Sequence, residues 1–213
     1  MLIKKLLVNI IKPLHYQCFS RPRLSILSTA LSDFIPTAQK ITALDIGCGA
    51  GDLINHISIL RPSIDFVGID ILERTPTDIK KRFHYQTYDG IHIPFPDQSF
   101  SFSMLVDVLH HAEDARSLLA EAMRVSRDFI LIKDHNCNST IDNQLLKLMD
   151  WVGNKSYDVA LPYHYLSASE WDKLFQELKL SIEMRHDQVK LYHTAISLIF
   201  KPTLHFIIKL KIL

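Results

Sequence analysis

Three of the six glycines in this 213-residue chain stand at alternate positions in LDIGCGAGDL, residues 44–53. They are Gly47, Gly49 and Gly51. Glycine permits tight turns and allows a ligand to approach the backbone where any Cβ would obstruct it. The spacing argues against two phosphate-binding loops, because a G-x-G-x-x-G fingerprint would need glycine where Asp52 stands, and no Gly-Lys-Ser/Thr sequence follows.

Carboxylates flank this glycine loop, since Asp45 precedes the glycines and Asp52 follows them. Both would repel a pyrophosphate and attract a cationic ligand bearing an ammonium and a sulfonium. Asp70 ends the next predicted strand, where it can hold ribose hydroxyls with both oxygens. Asp45 or Asp52 alone could instead cap a helix or match its dipole. The complete set favours a nucleoside-containing cation as the ligand.

Histidines and acids follow two later predicted strands, in DVLHH (residues 107–111) and IKDH (residues 132–135). Histidine suits proton abstraction because its ordinary pKa is about 6.5. A base is needed only if the group that the protein acts on must lose a proton. The predicted catalytic residues are His135, the first candidate for a general base, and His111, His110 and Asp107.

These residues could have structural rather than catalytic roles. One of the paired histidines could be a packing residue, and Lys133 could simply form an ion pair with Asp134. A metal site built from His110, His111, Asp134 and His135 is a further alternative. Nothing in their spacing requires a metal, so we predict none.

The elements that position these residues alternate between strand and helix, which predicts an α/β fold with a parallel sheet and helices on both faces. Short apolar runs predict strands, and apolar residues at helical spacing predict helices. The predicted strands are 41–46, 65–69, 84–88, 101–108, 129–133, 180–186 and 203–210. The predicted helices are 52–60, 115–125 and 169–178.

We interpret residues 1–213 as a single domain with an N-terminal helical segment over 1–38. Residues 136–168 break the alternation, and we predict an insertion or lid above the carboxyl edge of the sheet. Its aromatic residues either roof a pocket for a hydrophobic small molecule or form the core of the lid itself. They are Trp151, Tyr157, Tyr163, His164 and Tyr165.

The composition excludes several classes of protein. The net charge is +1, from 24 basic and 23 acidic residues, which offers no broad attraction for nucleic acid. Three widely spaced cysteines argue against a disulfide framework and favour a reducing compartment. We predict neither a secretory signal nor a transmembrane helix, because the apolar runs are short or interrupted.

The N-terminal segment is basic and amphipathic, with Lys4, Lys5 and Lys12. It could rest on a membrane surface, which would give the protein peripheral membrane contact. It could instead cover one edge of the core, and we favour this interpretation. The expected location is therefore the cytoplasm, with membrane association as the alternative.

LDIGCGAGDL resembles motif I of the class I S-adenosylmethionine-dependent methyltransferases, and FVGIDI (residues 66–71) resembles their second motif. Residues 89–125 are closely similar to the type 11 methyltransferase group, and the resemblance covers roughly residues 41–134. One departure is VSRDF (residues 125–129), where relatives often carry an RPGG turn.

The resemblance implies a Rossmann-like methyltransferase fold, doubly wound, with a mostly parallel seven-stranded sheet whose last strand is antiparallel. It implies S-adenosylmethionine as the cofactor. Asp45 and the three glycines would hold its methionine portion, Asp70 the ribose and Ile71 the adenine, with Asp89 facing the adenine amino group. Cys48 and Gly90 complete the cofactor-binding set.

By this resemblance the protein is predicted to be an enzyme that transfers a methyl group to a small-molecule or lipid-like acceptor. An alternative is a protein that keeps the fold, binds S-adenosylmethionine or a partner, and has lost catalysis. A nicotinamide-dependent oxidoreductase is disfavoured by Asp45 and by the missing third fingerprint glycine.

Overall fold

The computed structural model describes residues 21–37, 40–73, 83–154, 162–192, 197 and 200–212. The predicted N-terminal helix before residue 21, with its three lysines, lies outside the described residues, as does Tyr157. Within the described residues, seven strands form one sheet in the order β3-β2-β1-β4-β5-β7-β6. The strands are β1 Ile41–Ile46, β2 Ile64–Asp70, β3 Phe83–Thr87, β4 Phe100–Val106, β5 Ser126–His135, β6 Ser181–Asp187 and β7 His205–Lys211.

Strands β1 to β5 pair in parallel, whereas β7 pairs antiparallel with both β5 and β6. The last strand is therefore antiparallel, and the predicted fold class is confirmed. Parallel pairing places the carboxyl ends of β1, β2, β4 and β5 at one edge of the sheet, which is where the predicted site residues stand.

Helices cover both faces of the sheet. The described helices are α1 Arg21–Ser32, α2 Asp52–Leu60, α3 Ala115–Val125, α4 Thr140–Asn154 and α5 Ala168–Glu177. Leu31 of α1 and Ile57 of α2 are buried in one core cluster, and Leu119 of α3 and Trp171 of α5 are buried in the other. The sheet lies between these two clusters. None of the helices in the described part of the chain has both the length and the apolar character needed to cross a bilayer.

Two of the strand boundaries that differ from the predictions have clear physical reasons. β5 begins at Ser126, directly after α3, because the Ser126 hydroxyl is buried in a 2.6 Å hydrogen bond with that of Ser103 on β4. Ser126, Arg127 and Asp128 are polar, so hydrophobic periodicity does not predict this part of the strand. β4 ends at Val106, before the predicted end at 108, because Asp107 has a φ of +57° and leaves the extended conformation.

Candidate active site

The loop between β1 and α2 has a backbone that glycine adopts more readily than other residues. Gly47, Gly49 and Gly51 have φ angles of +74°, +56° and +79°, which a Cβ disfavours. A Cβ on Gly47 would lie 2.5 Å from Val108, and one on Gly51 would lie 2.1 Å from Phe83. These two glycines therefore allow the loop to pack tightly against its neighbours.

Gly49 differs from the other two glycines because its outer face is open. No described atom lies within 4 Å of the position that a Cβ would take on Gly49. The loop follows the carboxyl end of β1, the edge at which open α/β sheets bind ligands. Gly49 thus leaves space for a ligand against the backbone.

Two buried carboxylates stand beside this opening. Asp45 on β1 is 2% exposed, and its pKa is raised well above the usual range by burial and by the negative charge of Asp70. Asp70 ends β2, and its two oxygens accept hydrogen bonds from the backbone N–H groups of Gly49 (2.8 Å) and Leu72 (3.0 Å). Among the described residues neither carboxylate forms an ion pair. The pair therefore favours a positively charged ligand.

The other predicted cofactor-binding residues lie near the ends of β1, β2 and β3. Ile71 is 59% exposed, and a Cβ on Gly90 would lie 3.1 Å from its Cγ2, so the two residues form one apolar surface. Asp89 accepts hydrogen bonds from the N–H groups of His92 and Ile91, which lower its pKa to about 2. Cys48 is buried in the core cluster that also contains Leu31 and Ile57.

Asp52 is the first residue of α2 and is exposed, beside Gly51 at the N-cap position. Its charge lies at the helix N-terminus, where it favours the helix dipole. Of the two acids that flank the loop in sequence, only Asp45 is therefore buried beside the opening.

Asp107 lies between two basic side chains just beyond β4. Its Oδ2 is 2.5 Å from Arg23 on α1, and its Oδ1 forms an ion pair with Lys133 on β5. Burial would raise the pKa of Asp107, but Lys133 and Arg23 outweigh that effect and hold it well below the usual range. Asp107 is therefore a stable anion that is held by two cations.

Lys133 and Asp134 do not pair with each other, because consecutive strand residues point to opposite faces of the sheet. Lys133 is fully buried beside Asp107 and His205. Asp134 accepts hydrogen bonds from Nδ1 of His110 (2.7 Å) and from two backbone N–H groups, those of Leu109 (3.2 Å) and His135 (2.8 Å). The ion-pair interpretation of these two neighbours is therefore wrong.

His110 is 1% exposed and lies between two carboxylates, those of Asp134 and Asp150. Burial lowers the pKa of His110, but the two carboxylates outweigh burial and raise it to about 10. Tyr165 donates a hydrogen bond from its hydroxyl to Asp150, and its ring stacks on His110 at 5.5 Å. Residues of the predicted insertion therefore complete the surroundings of His110.

His135 and His111 have pKa values below the usual range. Burial and the positive charge of Lys133 lower the pKa of His135, and burial and His110 lower that of His111. Nε2 of His135 lies 3.4 Å from Oδ1 of Asp107. Its Nδ1 is buried without a hydrogen-bond partner among the described residues. Both rings are uncharged at neutral pH and retain a lone pair.

Four side chains of this site were not predicted from the sequence, namely those of Arg23, Asp150, His205 and Trp171. The indole N–H of Trp171 donates a hydrogen bond to the His135 carbonyl at 2.9 Å. Each comes from an element distant along the chain. No local motif marks Arg23 or His205, although Asp150 stands inside the MDWVGN stretch (residues 149–154) of the predicted insertion.

Residues 44–128 match the family of methyltransferase domains. The 27-O-demethylrifamycin SV methyltransferase of Amycolatopsis mediterranei is 27% identical over 123 residues, which are 50% of this chain and 45% of that protein. The demethylmenaquinone methyltransferase of Lactobacillus johnsonii is 30% identical over 93 residues, 39% of this chain and 38% of that protein. The matched stretches thus span less than half the length of either relative.

A crystal structure of a methyltransferase dependent on S-adenosylmethionine from Aquifex aeolicus superposes with a TM-score of 0.64. It is 16% identical, and the superposition covers 90% of this chain and 93% of that one. This similarity establishes the fold. Together with the domain match, it confirms the resemblance to the class I methyltransferases.

The match to methyltransferase domains and the shared fold imply S-adenosylmethionine as the cofactor. The residues present fit this molecule, because the open face of Gly49 admits a ligand that any Cβ would displace. The buried carboxylate of Asp45 suits its positive charges, Asp70 offers acceptor oxygens for its ribose, and exposed Ile71 offers an apolar surface for its adenine.

Proposed function

We propose that this chain, which carries a methyltransferase domain on the class I fold, transfers a methyl group from S-adenosylmethionine to a small-molecule acceptor. The observation that carries the proposal is the open, positive-φ backbone at Gly49 beside the buried carboxylates of Asp45 and Asp70. A nicotinamide dinucleotide would bring its pyrophosphate against these carboxylates and be repelled.

The cofactor supplies a methyl group that is already activated for displacement by its positive sulfur. The work of the protein is therefore to orient the two reactants and exclude water. Asp45 and the glycine loop would hold the methionine portion, and Asp70 would hold the ribose. Ile71 and Gly90 would hold the adenine, while Asp89 keeps their turn in shape through its backbone hydrogen bonds.

The acceptor would lie beyond the carboxyl ends of β4 and β5, under Tyr165 and the insertion. The two sequence relatives are named for a demethylrifamycin and a demethylmenaquinone, which supports a small-molecule acceptor here. The site presents aromatic rings and few exposed charges, since Asp107 is neutralised by Lys133 and Arg23. An apolar molecule with a hydroxyl group fits this surface.

His135 is the proposed general base for such a hydroxyl group. Its Nε2 is close enough to the Asp107 carboxylate to direct an N–H toward it, which leaves Nδ1 to accept the proton. Asp107 and Lys133 would then position His135 rather than move protons themselves. His111 is the second candidate, because its ring is only partly buried at the same edge of the sheet.

Calorimetry tests the cofactor-binding half of this proposal, and a transfer assay tests the catalytic half, which is methyl transfer to a small-molecule acceptor. The full chain is titrated with S-adenosylmethionine, S-adenosylhomocysteine and NAD, and only the first two should release saturable heat. The protein is then incubated with methyl-labelled S-adenosylmethionine and a panel of apolar hydroxyl-bearing molecules, and labelled products are sought by mass spectrometry.

Binding of NAD without binding of S-adenosylmethionine would overturn the whole proposal. Binding of S-adenosylmethionine with no transfer to any acceptor would overturn the catalytic half, and would support the alternative of a cofactor-binding protein without methyltransferase activity. Transfer only to peptides or nucleic acids would overturn the small-molecule assignment.

A further inference from the structure

Histidines and carboxylates gather in the interior where β4 and β5 end. Within the described residues, two groups offer ligand atoms that all lie within 4.8 Å of one another. One consists of His110, Asp134 and His135, and the other of His110, His111 and Asp150. The two groups share His110, so a single ion would bind to one group and not to the other.

Hydrogen bonding distinguishes the two groups. Both oxygens of Asp134 are already used, since the carboxylate accepts from Nδ1 of His110 and from two backbone N–H groups. Asp150 accepts the hydrogen bond of the Tyr165 hydroxyl and lies 3.5 Å from Nε2 of His110, so fewer of its acceptor positions are occupied. A carboxylate with free acceptor capacity is the better ligand, which favours the group that contains Asp150.

The histidine nitrogen atoms of this group are buried. Nδ1 of His111 has no hydrogen-bond partner in the described part of the chain, and a buried polar atom without a partner is costly. Nε2 of His110 faces the Asp150 carboxylate, and a metal ion that binds both would displace the proton of this nitrogen. Nε2 of His110 also lies 3.5 Å from Oδ2 of Asp150, close to the separation of about 3.4 Å between two ligands bonded to a tetrahedral metal at about 2.1 Å.

The surrounding hydrogen bonds orient these atoms as they do around protein-bound metals. Metal-binding histidines commonly donate their other ring N–H to a carboxylate, and binding carboxylates are in turn hydrogen-bonded. Nδ1 of His110 meets Asp134 at 2.7 Å, which fixes the ring with Nε2 directed at Asp150. The Tyr165 hydroxyl supports Asp150 in the same way.

We propose that His110, His111 and Asp150 form a binding site for a divalent transition metal ion such as Zn²⁺. Two histidines and one carboxylate leave a coordination position open, as in catalytic rather than structural sites.

This inference goes beyond the proposed function, because metal binding by these side chains requires neither the cofactor nor methyl transfer. The test is a titration of the chelator-treated protein with ZnCl₂, followed by calorimetry and by thermal unfolding. We expect one Zn²⁺ per chain with a Kd of about 1 µM or tighter, and a melting temperature that rises with Zn²⁺ concentration.

Substitutions locate the ion. His111→Gln and Asp150→Asn keep side chains of similar size and should each weaken Zn²⁺ binding by about 100-fold or more, whereas Tyr165→Phe should weaken it by about 10-fold. The matched control is His164→Gln, which removes an exposed histidine beside the site and should leave Zn²⁺ affinity unchanged. Circular dichroism of each metal-free variant establishes that it is folded.

Loss of affinity in His111→Gln and Asp150→Asn, with His164→Gln unaffected, supports the site. The proposal is overturned if wild-type protein binds no Zn²⁺ at micromolar concentration, or if folded His111→Gln binds it as tightly as wild type. Equal weakening in His164→Gln would also overturn it, since the ion would then be held by surface histidines.

Discussion

The carboxylate of Asp70 accepts a 2.8 Å hydrogen bond from the backbone N–H of Gly49, which ties the end of β2 to the middle of the glycine loop. The same carboxylate stands close enough to Asp45 to raise its pKa. One side chain therefore sets both the shape of the loop and the negative charge beside it.

Replacing Asp70 with Asn should weaken binding of S-adenosylmethionine by about 10-fold or more. The amide oxygen can still accept the hydrogen bond from Gly49, but the negative charge and one strong acceptor for ribose are lost. Calorimetry gives the affinity. The control is Asp65→Asn, an exposed acid on the same strand, for which an equal loss of affinity would contradict the assignment of Asp70.

Replacing Asp45 with Asn should stabilise the cofactor-free protein and weaken cofactor binding. Its raised pKa means that the folded state binds more protons than the unfolded state above pH ~4, so the carboxylate costs stability there. Near pH 7 the melting temperature should rise by about 2–4 °C per 1 kcal/mol gained. The gain should vanish below pH ~4, where the carboxyl is protonated in both states. A lower melting temperature at pH 7 would contradict this reasoning.

Gly49→Asn and Gly51→Ala should separate cofactor binding from stability. Asn tolerates positive φ, so the first variant should fold with little loss, yet its side chain fills the open space and should abolish cofactor binding. The second places a Cβ 2.1 Å from the ring of Phe83 and should cost about 2–4 kcal/mol of unfolding free energy. Urea unfolding and calorimetry measure both, and a Gly49→Asn protein with wild-type affinity would exclude this loop as the binding site.

Lys133→Met should destabilise the protein by about 3–5 kcal/mol, because it leaves the Asp107 anion with one buried partner fewer. Adding Asp107→Asn should restore part of this loss. The exposed pair formed by Lys40 and Asp65 is the control, and Lys40→Met should cost less than about 1 kcal/mol. Additive losses for Lys133→Met and Asp107→Asn would show that the two residues are not coupled.

His135→Gln should lower kcat by about 100-fold or more and leave the Kd for S-adenosylmethionine unchanged, because a base acts on the acceptor and not on the cofactor. The comparison requires an acceptor found in the transfer assay. His186→Gln provides the control, since His186 is an exposed histidine on β6, a strand at the edge of the sheet. Unchanged kcat in His135→Gln would reduce His135 to a packing residue.

The local elements were largely predictable from the sequence. β1 and α3 have the predicted bounds, 41–46 and 115–125, because hydrophobic periodicity and turn residues act over a few neighbouring positions. Side chains along a strand alternate between the two faces of the sheet, which predicts that Lys133 and Asp134 point to opposite faces. The ion pair that was considered for these two residues is inconsistent with this alternation.

The wider site was not predictable, because its contacts join residues far apart in the chain. Arg23 reaches Asp107 across 84 positions, and Asp150 on α4 lies 3.5 Å from His110 although the two residues are far apart in the chain. No local pattern encodes such partners. Each is chosen when the elements pack together, and the burial that results also decides which groups are charged.

The sequence by itself determined the order of the strands along the chain, the glycine loop and the kind of ligand that its acids attract, since these depend on neighbouring residues. Tertiary structure alone decided that Asp107 and His110 are held by opposite charges while His135 and His111 are uncharged. Charge in a protein interior depends on which groups are brought within a few ångströms and on how completely water is excluded.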